Sequence, residues 1–278
     1  MTFPHVDSPA AWRVSEIEQD KSWVFRLDNA ARAELAGAVK AAFDADRPLF
    51  DYRGRDIDLG PAGDVIAAAM MEAHAGRGIA LVKGLPRDEV TEQEFRFMNW
   101  AIGLHFGVAR PQGIPYYGQP LFDMAEGHMF GKWNRNRVRT AQDIAGVPQL
   151  TDAQKECTDL LDEILRRPDV MFTMWLEPGD LQIMNNHVML HSRTPFEDFE
   201  EEGRQRLLYR LWLATPNSLR LPESWGGYFR SIEPGTVRGG IRGHEYDDER
   251  LAFETRQAAD LGMPAPARER FIPNRLAS

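Results

Sequence analysis

The sequence predicts an α+β fold with a mainly β core and flanking helices. Helix signals dominate the first hundred residues: Asp28 and Asn29 precede an apolar pattern with helical spacing, and Thr91 with Glu94 forms a capping box. Strand signals dominate later, because short runs rich in Leu, Ile, Val and Trp are separated by turn residues. The two patterns together indicate helices packed around small sheets.

The elements follow in chain order from these signals. Helices are predicted over 30–43, 63–75, 92–103 and from Thr151 to about Arg166, each begun by a capping residue or an apolar periodicity. Strands are predicted over 22–27, 79–83, 116–122, 128–133, 170–176, 181–186 and 207–214. Of these, 116–122 and 128–133 resemble a hairpin around residues 125–127. Residues 197–203 read as an acidic loop, and the segment 216–278 as an irregular tail.

Composition limits the classes of function. The chain has 278 residues and a net charge of −9, which argues against a nucleic-acid partner and leaves a small-molecule substrate as the expected ligand. Its single cysteine, Cys157, excludes a disulfide framework and is expected in the core. No apolar stretch reaches the length of a membrane span and no secretory signal opens the chain, so a cytoplasmic protein is expected. A homo-oligomer is one option for its assembly.

The most informative chemistry lies between residues 179 and 212. His191 follows an apolar run, and Arg206 and Arg210 lie on the next predicted strand, where alternation places both on one face. Imidazole is a good ligand for ferrous iron, which two His and one carboxylate can hold with three positions open. Arginine binds a carboxylate through two parallel hydrogen bonds. The segment therefore indicates half of a site for iron and an acidic co-substrate.

This segment resembles the TauD/TfdA family, the taurine-dioxygenase-like Fe(II)/2-oxoglutarate oxygenases. The matching pieces are Leu-Glu-Pro-Gly-Asp at 176–180, the Asn185–Arg193 block, Phe-Glu-Asp at 196–198 and the Arg206–Leu213 block, while 78–86 is similar to the opening of the family. The resemblance implies a double-stranded β-helix (jelly roll) in one domain, with 1–112 as N-terminal helices and first strands and 113–215 as the C-terminal half of the barrel. It implies hydroxylation of a small organic substrate with Fe(II) and 2-oxoglutarate.

The same resemblance implies roles for individual residues. His191 resembles the distal iron-binding histidine, and Arg206 resembles the arginine that grips the far carboxylate of 2-oxoglutarate. Arg210 resembles an arginine near the substrate, and Asn186 matches an asparagine five residues before the histidine, also on the substrate side.

One part of the family pattern is missing. In relatives, a segment of roughly eighty residues contains a His-x-Asp or His-x-Glu pair. This chain has no counterpart of that segment, which would lie between Gln112 and Gly113, so the jelly roll is predicted to be incomplete. The literal match His5-Val6-Asp7 lies far from that place, and His128 is the nearest substitute for the missing histidine. The sequence therefore predicts weak iron binding and little or no oxygenase activity.

Two other functions remain open. A non-catalytic binding or scaffold protein derived from the family would have lost the metal site. A zinc-dependent hydrolase could use His187 and His191 if residues 183–191 were helical, because a spacing of four places both on one helix face. On a strand those histidines are too far apart for one metal, and His187 is then expected to be structural.

Overall fold

The computed structural model describes residues 6–111, 120–201, 205–240 and 247–266. Its helices are α1 (Val14–Gln19), α2 (Asn29–Ala42), α3 (Gly60–Ala75), α4 (Glu92–Phe106), α5 (Arg135–Ala141), α6 (Asp152–Leu165), α7 (Gly226–Phe229) and α8 (Asp248–Asp260). Its strands are β1 (Val24–Arg26), β2 (Ile79–Lys83), β3 (Val108–Arg110), β4 (Phe122–Ala125), β5 (His128–Gly131), β6 (Leu181–Met184) and β7 (Trp212–Ala214). The mixed α+β class predicted from the sequence is confirmed.

The main core lies in the first 106 residues, where local signals and packing agree. Asp28 accepts a hydrogen bond from the backbone N–H of Ala31 and begins α2, and the predicted Thr91–Glu94 capping box begins α4. The apolar faces of these helices and of α3 pack against β2, whose first four residues are buried. These helix predictions and the strand 79–83 are confirmed, whereas α1 was not predicted.

The strands form three small sheets in the described part of the chain. β2 is central in one, with β1 parallel to it and β6 antiparallel, so that Ile79 is opposite Met184. β3 pairs with β7, and β4 pairs with β5. Two- and three-stranded sheets over these residues do not make up a jelly roll.

The β4–β5 hairpin turns at Glu126 and Gly127, as the sequence predicted. Both residues have positive φ, 47° and 81°. This is the arrangement of a two-residue turn whose twist matches that of the two strands. The other end of the predicted hairpin, 116–119, lies outside the described residues.

Several strand predictions are wrong or too long. Residues 170–176 contain no strand, and the predicted strand 207–214 is reduced to β7. The residues that were expected to continue these strands lack a neighbouring strand in the described structure, and a strand without ladder hydrogen bonds is not stable in water.

The segment after Pro216 was predicted to be irregular, and over 247–266 this is wrong. Asp247 caps α8 by accepting a hydrogen bond from the backbone of Arg250. The helix buries Phe253, Glu254 and Gln257 against the N-terminal core. Residues 267–278 lie outside the described range.

Exposed apolar side chains are concentrated in the middle of the chain. Of the large hydrophobic residues described as exposed, only Phe50 and Met71 lie outside 122–208, and Trp175 is 88% exposed. α6 has no buried residue, and Cys157 on it is exposed, so the prediction of a core cysteine is wrong. This surface has the character of a core face without its cover. In the described ranges no helix is long and apolar enough to cross a membrane.

Candidate functional site

The Leu-Glu-Pro-Gly-Asp turn before β6 is held by a close backbone approach and a buried ion pair. Gly179 has a φ of +84°, and a Cβ there would lie 2.5 Å from the carbonyl oxygen of Leu85, so only glycine fits. Asp180, with 2% of its side chain exposed, accepts hydrogen bonds from Lys83 Nζ at 3.0 and 2.9 Å. This anchors the start of β6 to β2 and positions the segment that follows.

The strand ends at Met184, and the next residues turn. The backbone N–H of Asn185 donates to the carbonyl of Gly78, while those of Val188 and Met189 both donate to the carbonyl of Asn185. Asn186 is therefore an exposed turn residue and not the strand residue predicted. A zinc hydrolase with His187 and His191 would require a helix over 183–191. These residues form the end of a strand followed by a turn, so the structure does not support that function.

His187 is the histidine that packs among aromatic rings. Its ring lies 5.2 Å from that of Phe229, 6.0 Å from that of Phe130 and 6.2 Å from that of Trp225, centre to centre. Burial, and then the charges of Arg238 and Lys132, lower its pKa to about 3. The ring is thus neutral at physiological pH, in keeping with the structural role predicted for it.

His191, the predicted iron ligand, lies at the surface beyond this turn. Partial desolvation by the surrounding chain, and then repulsion by the Arg210 guanidinium, hold its pKa below the ordinary value. Arg210 is therefore near enough to His191 for its charge to act on the ring. Neither lies in a regular strand, so the neighbouring-strand geometry predicted for them is wrong.

Arg206 lies beside another arginine. Its guanidinium carbon is 5.3 Å from the ring centre of Phe196, and that of Arg193 is 4.8 Å from the same centre. The backbone N–H of Arg206 donates to Asp198 Oδ1 at 2.8 Å, which joins the two ends of the acidic loop. Within the described residues Arg193 forms no salt bridge shorter than 4.0 Å. Two guanidinium groups therefore lie close to one aromatic ring.

The comparisons with known proteins agree with this segment. Residues 108–212 match the family model described as taurine catabolism dioxygenase TauD, TfdA family. The chain is also 22% identical to FR-33289 synthase of Streptomyces rubellomurinus (strain ATCC 31215), over 80% of this chain and 95% of that protein. These matches show that residues 108–212 are similar to the TauD/TfdA family.

The alignment with this relative also shows a length difference. It spans 324 positions, whereas 80% of this 278-residue chain amounts to only about 220 residues. Roughly a hundred positions of the alignment therefore have no residue from this chain. This difference is similar in size to the roughly eighty residues that the family resemblance implies between Gln112 and Gly113.

The described residues do not fit the iron ion that the family implies. No three His, Cys, Asp or Glu side chains in those ranges come together as a group that could hold a metal, and His191 would need two further protein ligands. His5, from the literal His-x-Asp match, and residues 112–119, around the predicted gap, lie outside the described residues.

Proposed function

We propose that this chain is an Fe(II)/2-oxoglutarate oxygenase-like protein that keeps the acid-binding half of the site and lacks half of the metal site. Its fold is proposed to be an incomplete jelly roll in a single domain, from which one segment of the barrel is missing. The exposed apolar face between 122 and 208 supports this, because an intact barrel would cover such residues.

The observation that carries the proposal is the pair of guanidinium groups over Phe196. Arg193 and Arg206 bring two like charges to one ring in the segment that matches the family. Such a pair is favourable when an anion lies between the charges. A dicarboxylate such as 2-oxoglutarate is the proposed ligand, with Arg206 holding its distal carboxylate.

The remaining residues are assigned by their positions relative to this pair. Arg210, close enough to His191 to lower its pKa, is proposed to face a small organic substrate together with Asn186. His191 is proposed as the surviving iron-ligand position. Because the described residues do not complete a metal site, we assign no oxidation step to the chain and expect little or no turnover.

Calorimetry with 2-oxoglutarate tests the proposal. Arg206→Ala should weaken binding by roughly fiftyfold, since a charge-assisted hydrogen-bonded pair contributes on the order of 2–3 kcal/mol. Arg139→Ala, which removes an exposed arginine from α5, is the matched control and should bind like the wild type. Equal affinity of the Arg206 variant and the wild type would contradict the assignment.

The metal half of the proposal has its own measurement. Purified protein with ferrous iron and 2-oxoglutarate should produce no succinate above the iron-only background, and iron should be removed by a mild chelator. Robust succinate production would contradict this half while leaving the role of Arg206 intact.

A non-catalytic binding protein is the second candidate function. It is favoured by the position of His191, which has no partner ligands among the described residues. Such a protein should bind its ligand without iron.

A further inference from the structure

An aromatic cluster, formed by Phe130, Trp225, Tyr228 and Phe229 around His187, contains two buried polar atoms without a partner. Trp225 is 1% exposed and Tyr228 is 2% exposed, and neither Trp225 Nε1 nor Tyr228 Oη has a hydrogen-bond partner in the described structure. The two residues are three apart along one helical turn, so their side chains project from the same side. Buried donors left unpaired are costly, and they call for an acceptor.

A lysine without a counter-ion lies against the same cluster. Lys132 directly follows β5, and its ammonium nitrogen is 3.5 Å from the centre of the Tyr228 ring. Among the described residues no carboxylate lies within 4.0 Å of it. Burial, and then repulsion by Arg137, lower its pKa to about 7. The ammonium covers the ring that carries the unpaired hydroxyl, so one small anion could reach both groups.

The charges around the cluster leave this lysine uncompensated. Arg238 is buried, and its guanidinium donates to backbone carbonyls, those of Leu219, Ile232 and Glu233. The Glu233 carboxylate is engaged by Arg220 at 2.7 Å. Asp123 accepts a hydrogen bond from Ser224. These two acids therefore have other partners, and the charged group that acts on Lys132 is the cation Arg137.

We propose that Lys132, Tyr228 and Trp225 form a binding site for a small carboxylate anion, separate from the arginines around Phe196. One cation matches the single charge of a carboxylate, and the two neutral donors match its free oxygen lone pairs. The aromatic faces of the cluster favour an acid with an apolar body. This site belongs to residues that the proposed oxygenase-like function does not use.

Chemical labelling of Lys132 provides the first test, with sodium benzoate as the probe anion. The protein is acetylated with limiting N-hydroxysuccinimidyl acetate at pH 7, where about half of the Lys132 amine is protonated, and peptide mass spectrometry follows each lysine. Bound benzoate should slow labelling of Lys132 about tenfold at ten times its dissociation constant. The exposed Lys40 and Lys155 serve as internal controls and should not respond, and sodium chloride of equal ionic strength should have no effect. Labelling of Lys132 that ignores benzoate, or slows equally at all three lysines, would overturn the proposal.

Tyr228→Phe provides the second test, because it changes one oxygen and keeps the ring. Benzoate protection of Lys132 should need about tenfold more benzoate, which is the loss of one hydrogen bond of ordinary strength to a charged group. The ligand-free variant should keep or raise its Tm, since a buried hydroxyl without a partner is removed. A lowered Tm with unchanged protection would mean that the hydroxyl serves the fold and not an anion, and the site would be refuted.

Discussion

Glu254→Gln should strongly destabilise the protein, because it removes the charge from a buried ion pair between residues that are 144 positions apart in the chain. Glu254 on α8 pairs with Arg110 on β3, and their side chains are 1% and 2% exposed. Arg110 also donates to the carbonyl of Gly239 at 3.0 and 2.9 Å. The same face of α8 sends the amide of Gln257 to the carbonyl of Leu104 at 2.6 Å. The pair therefore joins α8 to the end of α4 and to β3.

The expected magnitude follows from the burial of both charges. In the Glu254→Gln variant the buried Arg110 guanidinium stays charged and loses the carboxylate of Glu254, which costs about 3–5 kcal/mol. That is a large part of the 5–15 kcal/mol typical of a folded domain. With a urea dependence of about 2–3 kcal/mol per molar, the unfolding midpoint should fall by about 1–2 M.

Urea unfolding followed by tryptophan fluorescence measures this shift. Asp88→Asn is the matched control: it removes a charge from an exposed pair with Arg32, where the aspartate side chain is 80% exposed and Glu89 keeps a second contact. The control should change the free energy of unfolding by less than about 1 kcal/mol. If Glu254→Gln costs no more than this control, the buried pair is not what holds α8.

Three further outcomes are expected. The pKa of Lys132 is lowered to about 7 in the folded chain from an ordinary value of 10.5, so between these pH values the unfolded chain binds one more proton than the folded chain. The free energy of unfolding of the wild type, relative to that of Lys132→Met, should therefore rise from pH 7 to pH 10 in urea titrations. Parallel pH profiles of the two proteins would contradict the burial of this amine. Trp175→Ser with Leu207→Ser should lower concentration-dependent association in sedimentation velocity, because the wild type exposes 88% and 57% of these residues; unchanged sedimentation would show that this face does not associate. Thr91→Ala removes the side-chain cap of α4 and should cost about 1 kcal/mol in thermal unfolding, whereas no loss of Tm would mean that packing alone sets the helix start.

Sequence reasoning succeeded where the cause of a structure is local. The start of α2 at Asp28, the capping box at Thr91 and the turn at Glu126 and Gly127 each depend on residues within four positions of one another. The family resemblance also came from contiguous residues and is confirmed by the match over 108–212. His191 and Arg206 were found in this way, although their roles remain proposals.

Tertiary structure decided what depends on distant partners. A strand over 207–214 needs neighbours for its backbone groups, and only Trp212–Ala214 finds one, in β3. The sequence shows His187 and His191 as similar residues four apart. Only the rings of Phe130, Trp225 and Phe229, which come from distant parts of the chain, determine that His187 packs among aromatic side chains. The pairing of Arg110 with Glu254 joins residues 144 positions apart. Local hydrogen bonds and caps can be predicted from neighbouring residues in the sequence. Burial and ion pairing depend on which distant surfaces meet in the fold. In this structure the large apolar side chains that are exposed between 122 and 208 are not covered by other described residues.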